Sequence, residues 1–313
     1  MSAHPSIAFT LLTMNFRHLL IIFLLLPAIL TLSLAAYAED GQKEINIGLV
    51  PEINIFQQAK RYKNLESYLT GKTGTKVNFK VISQYGNIID YFYGMKLDGA
   101  FFGSLTAVLA NSKLEVEPVA RPVNINGKST AHSCIFVRKD SGITGFEDLK
   151  GKVMIYVDKA SAAGYVFPLA YFKEHGVKNV QTYLKGYSFA GSHDAAIRDV
   201  LSKDADAGAV KSTVYEALAR KNPRIEKELT IIAESISFPS DALWLNRNLD
   251  IGLRKKFKEA LLNMNKDPEG RKVLSEFGAK GFIETMPDDY KGVLTILKEA
   301  GIKDLNTFDY YNQ

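Results

Sequence analysis

The sequence predicts an α/β fold of two lobes, and three observations carry that prediction. Apolar strand-like runs alternate with runs at helical spacing, the alternation occurs in two units of similar order, and several strand-like runs end at small hydroxyl or glycine residues that open the next helix. These junctions read Ala100-Phe101-Phe102-Gly103-Ser104-Leu105, then Tyr156-Val157-Asp158-Lys159-Ala160-Ser161-Ala162-Ala163-Gly164-Tyr165, then Gly191-Ser192-His193-Asp194-Ala195-Ala196. A helix N-terminus carries unpaired N–H groups and about half a positive charge, so several such ends facing one cleft form a site for an anion or an oxygen-rich ligand.

The chain opens on a targeting segment. Arg17 and His18 precede an apolar stretch over 19–34 that Pro27 interrupts, and Ala36-Tyr37-Ala38 supplies a small-x-small cleavage motif before Glu39 and Asp40. Residues 1–38 therefore read as a signal peptide cleaved near Ala38, in preference to an uncleaved membrane anchor. Met14-Asn15-Phe16-Arg17 resembles the start of such a signal more than Met1 does, so the initiator stays open between Met1 and Met14. No cysteine follows the motif to take a lipid, and the single cysteine, Cys134, has no partner for an intramolecular disulfide.

The first unit begins with a strand over 45–50. Phe56, Ala59, Leu65, Tyr68 and Leu69 then recur at helical spacing until Gly71, and Val77, Phe79 and Val81 alternate as a strand does. A helix over 87–93, a strand over 100–102 and a helix over 104–110 complete a βαβαβ order, which demands a largely parallel sheet covered by helices on both faces. The second unit starts near Ser133-Cys134-Ile135-Phe136-Val137. It continues with a strand over 153–157, a helix over 161–174, a strand near Tyr183, a helix over 192–202, a strand over 207–210 and a helix after Ser212. Further strands fall at 231–235 and 242–245, and the tail from Leu249 reads as helical with breaks at Pro268, Gly278 and Pro287. No linker separates the units, so the chain is expected to cross between lobes on strands near 133–137 and 231–235. Lobe 1 is then 39–133 plus 236–313, and lobe 2 is 134–235.

Composition excludes several function classes. The 39 basic and 34 acidic residues leave a mild positive excess, +4 once Arg17 departs with the signal, spread along the chain with no nucleic-acid-binding module. Gly71-Lys72-Thr73 lacks the P-loop glycine five positions earlier, where Glu66 stands. The segment Gly186-Tyr187-Ser188-Phe189-Ala190-Gly191 is one residue too long for a nucleophile elbow. The five histidines show no metal-ligand spacing among themselves. The chain reads as a non-enzyme without cofactor or metal.

Over nearly its whole mature length the sequence resembles the periplasmic substrate-binding proteins of phosphate, phosphite and phosphonate ABC importers. The segments that carry the resemblance are Ile47-Gly48-Leu49-Val50-Pro51, Tyr85 ahead of Leu97-Asp98-Gly99-Ala100-Phe101-Phe102-Gly103, and Phe146-Glu147-Asp148-Leu149-Lys150-Gly151-Lys152. Gly164-Tyr165-Val166-Phe167-Pro168, the Gly191 junction and Asp206-Ala207-Gly208-Ala209-Val210 follow in order. The resemblance implies a periplasmic clamshell with two hinge crossings that closes on a small oxyanion or oxyacid and delivers it to a membrane permease. It also exposes departures. A family Ser-Thr-Ser-Gly turn is Ser161-Ala162-Ala163-Gly164 here, and a family tyrosine is Ala131.

The ligand-binding candidates are Tyr85 and Ser104 from the first lobe, Ser133 or Cys134 at the hinge, and Ser161, Ala162, Ala163, Gly164, Ser192 and His193 from the second. Each has a plainer reading: Ser161 and Ser192 are good N-caps, Tyr85 sits among core-forming aromatics, His193 suits a surface helix start, and Cys134 suits a small buried hydrophobe. Strand alternation lets only one of Ser133 and Cys134 face the cleft, and the family comparison favours Ser133. The alternative function is a two-component sensing protein of the same fold, a monomer like the transport form, that signals to a histidine kinase ectodomain and binds arsenite through Cys134.

Overall fold

The computed structural model describes residues 44–311, so the expected signal peptide and the choice of initiator lie outside the described residues. No helix among the described residues is long and apolar enough to cross a membrane. The strands are β1 (Glu44–Leu49), β2 (Lys76–Val81), β3 (Gly99–Phe102), β4 (Val116–Asn124), β5 (Thr130–Ala131), β6 (Ser133–Arg138), β7 (Val153–Tyr156), β8 (Gly186–Phe189), β9 (Ala207–Lys211), β10 (Leu229–Glu234), β11 (Phe238–Pro239), β12 (Ala242–Asn246) and β13 (Ala279–Glu284). They form a six-stranded sheet in the order β13-β4-β12-β3-β1-β2, a five-stranded sheet in the order β10-β6-β9-β7-β8, and the short pair β11-β5. Each large sheet belongs to one lobe of an α/β fold.

The βαβ segments behave as their order requires: β1 pairs in parallel with β2 and β3, and β7 with β8 and β9. The other ladders are antiparallel, so the sheets are mixed and less parallel than the sequence suggests. The cause is the lobe crossing: β6 and β12 enter their sheets directly from the crossing segments and run against the neighbouring βαβ strands, whereas β10 arrives through helices Ser212–Ala219 and Pro223–Glu228. The crossing itself falls just outside the expected strands. β6 and β10 lie within the five-stranded sheet, and the segments that leave it pair as β5 with β11, Ala131 opposite Phe238.

Several local readings change. The first helix runs through Gly71 to Thr73 and stops at Gly74, whose φ of +70° suits only glycine without strain. Tyr183 ends a short helix, and the strand lies beyond it as β8. Neither β4 nor β13 is expected from the sequence, and β13 interrupts the tail that reads as helical. Pro118 and Pro122 argue against a strand, yet β4 runs between β13 and β12 because the ladder shifts register on both sides, near Leu243/Trp244 and Ala279/Gly281.

Burial divides into two cores. One packs Tyr62, Leu65, Phe101, Leu245, Phe257 and Phe277 beneath helices Ile55–Thr73 and Ile251–Leu262. The other runs from the opposite face of the six-stranded sheet, through Phe92, Phe102 and Trp244, into Phe136, Tyr156 and Phe172 of the second lobe. That continuity brings the carboxyl ends of β1, β3, β7 and β9 face to face, where ligands of open α/β sheets bind.

Candidate functional site

A small cavity of about 20 Å³ lies between these strand ends. The first lobe lines it with Glu52, Tyr85, Gly103, Ser104, Leu105, Phe238 and Asp241, the second with Ala160, Ser161, Ala162, Ala163, His193 and Lys211. Six of the ten candidates read from the sequence, Tyr85, Ser104, Ser161, Ala162, Ala163 and His193, thus meet at one place.

The second-lobe wall is built by two helix starts. Ser161 Oγ accepts from Gly164 N–H at 3.0 Å, which caps the turn and leaves the hydroxyl proton free to donate into the cavity. The turn continues as a π-helix, Ala162–Val166, whose first N–H groups have no intrahelical acceptor. Gly164 is obligatory by proximity: a Cβ there would sit 2.5 Å from Val157 Cβ. Gly164 therefore shapes the wall without lining the cavity. Ser133 lies behind it, donating from Oγ to the Ala163 carbonyl and so anchoring the turn from β6.

His193 opens helix His193–Leu201 after Gly191, which has φ +76°. Its N–H donates across the lobes to Glu52 O at 2.9 Å, and its Nδ1 accepts from Lys211 N–H at 3.2 Å. That second bond assigns the proton of the neutral ring to Nε2, making it a donor. Burial pulls the His193 pKa down to about 4 against the opposing pull of Asp241 and Asp194, so the ring is neutral at physiological pH. Ser192 points elsewhere: its Oγ donates to Asp194 Oδ1 at 2.6 Å, and Asp194 in turn receives Asn54 N–H from the first lobe at 3.1 Å.

On the first-lobe wall, the Tyr85 ring meets the His193 ring edge-on at 6.2 Å between centroids, and its buried hydroxyl has no partner. Burial holds the phenol well above its ordinary pKa, so it remains a donor. Ser104 Oγ donates to Pro239 O at 2.8 Å, tying the helix start to β11.

The charged centre of the site escaped the sequence reading. Lys211, at the end of β9, pairs with Glu52 and, at 2.8 Å, with Asp241; all three are buried and the pairs span the lobes. Asp241 Oδ1 is left buried with no partner. The strand-end rule that located Ser104 and Ser161 also reaches Lys211, one residue beyond Asp206-Ala207-Gly208-Ala209-Val210, with Ser212 opening the next helix. Glu52 and Asp241 follow or precede prolines or serine in loops and carry no such signal.

Cys134 stands off the cavity. Its side chain lies on the opposite face of β6 from Ser133, 4.0 Å from Glu234 Oε1, and burial pushes the thiol up to about 12. A broader surface groove of about 410 Å³ between helices Ile55–Thr73 and Ile251–Leu262 gathers Lys72, Lys256 and Lys266, but Lys72 is already paired with Asp267 and no strand end reaches it.

Residues 47–290 match the family described as ABC transporter, phosphonate, periplasmic substrate-binding protein. The chain belongs to this family. Its members are binding proteins, not enzymes. The chain is 25% identical over 264 residues to a probable ABC transporter phosphite-binding protein of Prochlorococcus marinus, covering 81% of this chain and 89% of that protein. It is 26% identical over 252 residues to the phosphonates-binding periplasmic protein of Escherichia coli, covering 79% and 74%. In fold, it is similar to a binding protein component of an ABC phosphonate transporter from Pseudomonas aeruginosa, with a TM-score of 0.76 at 23% identity over 82% of this chain and 87% of that one. A Prochlorococcus marinus protein crystallised with methylphosphonate gives a TM-score of 0.75 at 23% identity, over 84% of this chain and all of that one.

Proposed function

We propose that this chain is exported with loss of residues 1–38, binds a small phosphorus oxyanion of the phosphonate, phosphite or phosphate class between its lobes, and delivers it to the permease of an ABC importer. The observation that carries this reading is the convergence on one cavity of donors from both lobes: Tyr85 Oη, His193 Nε2, Ser161 Oγ and the first N–H groups of the Ala162–Val166 turn. Neutral donors and a helix end suit an anion whose charge is spread over several oxygens.

In this closed conformation the cavity has room for about one water molecule. A phosphonate enters when the lobes part, breaking the Lys211 contacts with Glu52 and Asp241 that join them. The lobes are 39–133 plus 236–313 and 134–235, and the paired segments around β5 and β11 act as the hinge. Asp241 Oδ1, buried and lacking a donor, selects an anion that still carries a proton, because a P–O–H group can donate to it. Sulfate has no such proton at neutral pH and is refused.

Calorimetry of the mature protein with methylphosphonate, phosphite, phosphate and sulfate tests the reading. Binding of at least one phosphorus oxyanion, with sulfate excluded, supports it; heat from none of the phosphorus compounds, or equal binding of sulfate, removes it.

A further inference from the structure

A second polar cluster lies on the other side of β6 from the anion cavity. His132 Nε2 is 3.1 Å from Glu234 Oε1, Cys134 Sγ is 4.0 Å from the same oxygen, and the three ligand atoms all lie within 4.8 Å of one another. We propose that His132, Cys134 and Glu234 form a binding site for a zinc-like divalent cation.

The backbone builds this arrangement. Residues 132 and 134 share one face of the chain, since Ser212 N–H donates to His132 O at 2.9 Å and so carries the β6–β9 ladder one residue past Ser133. Glu234 arrives by a bulge. Ile231 pairs with Phe136 but Ala233 pairs with Ile135, so one extra residue in β10 places Glu234 opposite Cys134, where unbroken register would place it opposite Ser133. Flanking bonds hold the register: Ser235 N–H donates to Ser133 O at 3.0 Å, and Ser133 N–H to Ser235 Oγ at 2.8 Å. The ligands therefore stand on two laced strands, not on mobile loops.

The donor set decides the ion. One sulfur, one imidazole nitrogen and one carboxylate oxygen suit a borderline-soft cation such as Zn²⁺, and are foreign to Mg²⁺ or Ca²⁺, which take oxygen. The Glu234 oxygen's separations of 3.1 Å from His132 and 4.0 Å from Cys134 are about those of a tetrahedron with metal–ligand bonds near 2.0–2.3 Å, and the third separation lies within 4.8 Å. Three protein ligands leave the fourth position open to water. Cys134 is buried, whereas Glu234 is exposed and His132 half-buried, so the ion has an entry path from the edge strand β10. On binding, the thiol proton passes to solvent as the sulfur–metal bond forms, and no electron is transferred. The sequence signal was a histidine and a cysteine two residues apart at a strand start, invisible to a search for spacing among histidines alone.

The test uses the mature chain without phosphonate. Zinc is titrated by calorimetry in buffers of different ionisation enthalpy, and Co²⁺ serves as a spectroscopic probe. One equivalent of zinc with proton release, and a thiolate-to-cobalt charge-transfer band that Cys134→Ser abolishes, are expected. Changes in the second shell of metal sites cost about 10–100-fold in affinity, so Glu234→Gln and His132→Gln, each removing a ligand, are expected to cost at least that. Glu234 is exposed, so its variant keeps the fold, shown by an unchanged circular dichroism spectrum. No zinc uptake by wild type, a cobalt spectrum lacking the band, or unchanged zinc affinity in Glu234→Gln overturns the proposal.

Discussion

Two cations in this protein each stand between two carboxylates, and they do so differently. Lys211 lies buried between Glu52 and Asp241 and joins the lobes, whereas Arg138, at the end of β6, lies between Asp140 and Glu228 within one lobe and near solvent. Arg138 also donates to Leu201 O at 2.9 Å, so its planar fork is well used; its hydrogen bonds hold the Asp140 carboxyl down to about 2, and hydrogen bonds from Arg224 and then Arg138 do the same for Glu228. The Lys211 ammonium is a point charge taken out of water, and its partner Asp241 still lacks a donor at Oδ1. The lesson is that the satisfied network fastens a surface while the incompletely satisfied one lines the cavity proposed to bind the ligand.

The largest expected effect tests that contrast directly. Lys211→Met strands two buried carboxylates and should destabilise the protein by about 3–5 kcal/mol in urea unfolding. Arg138→Gln should cost much less, because water reaches its partners. Equal losses from the two variants would dissolve the distinction.

The two sites also separate by pH. His193, whose folded pKa of about 4 lies below the ordinary 6.5, takes up protons more readily when unfolded. Its neutral form therefore contributes stability that is complete above pH 6.5 and is lost as pH falls toward 4, about 3 kcal/mol in all at roughly 1.4 kcal/mol per unit. Asp140 and Glu228 have folded values below their ordinary 3.8 and 4.5, so their contribution is complete above that range and is lost as pH falls through about 2. Urea midpoints measured from pH 7 to 4 should fall in wild type and stay flatter in His193→Gln; parallel curves would contradict a buried neutral imidazole.

Smaller again are the effects on ligand binding. His193→Ala and Tyr85→Phe each remove one donor to an anion, worth roughly 1.5–3 kcal/mol, or about 10–100-fold in the dissociation constant for the phosphorus oxyanion that wild type binds. Wild-type affinity in both variants would place the anion elsewhere. The smallest effect belongs to Cys134→Ser, which should leave that affinity nearly unchanged because the thiol lies across β6 from the cavity. A large loss there would return Cys134 to the cleft.

Much of the cavity was legible from strand-to-helix junctions. Ser104, Ser161, Ala162, Ala163 and His193 follow strand ends, and strand carboxyl ends converge in any sheet of this type. The same rule misplaced Ser192 and Gly164. The first turned its hydroxyl to Asp194, and the second serves close packing on Val157. Glu52 and Asp241 were unreadable for a physical reason: each stands in a loop that nothing local distinguishes, and each matters only because Lys211 reaches it from the other lobe, 159 and 30 residues away in sequence.

The sequence by itself determined the alternation of strands and helices, the two-lobed division and the helix starts that supply donors, because these depend on local periodicity and capping. Tertiary structure alone decided which polar groups meet. The lobe crossing made the sheets mixed, a single bulge in β10 set Glu234 beside Cys134, and packing between the lobes buried Lys211 between carboxylates of the opposite lobe. Such meetings depend on register and on long-range packing, and a shift of one residue would send each side chain to the other face.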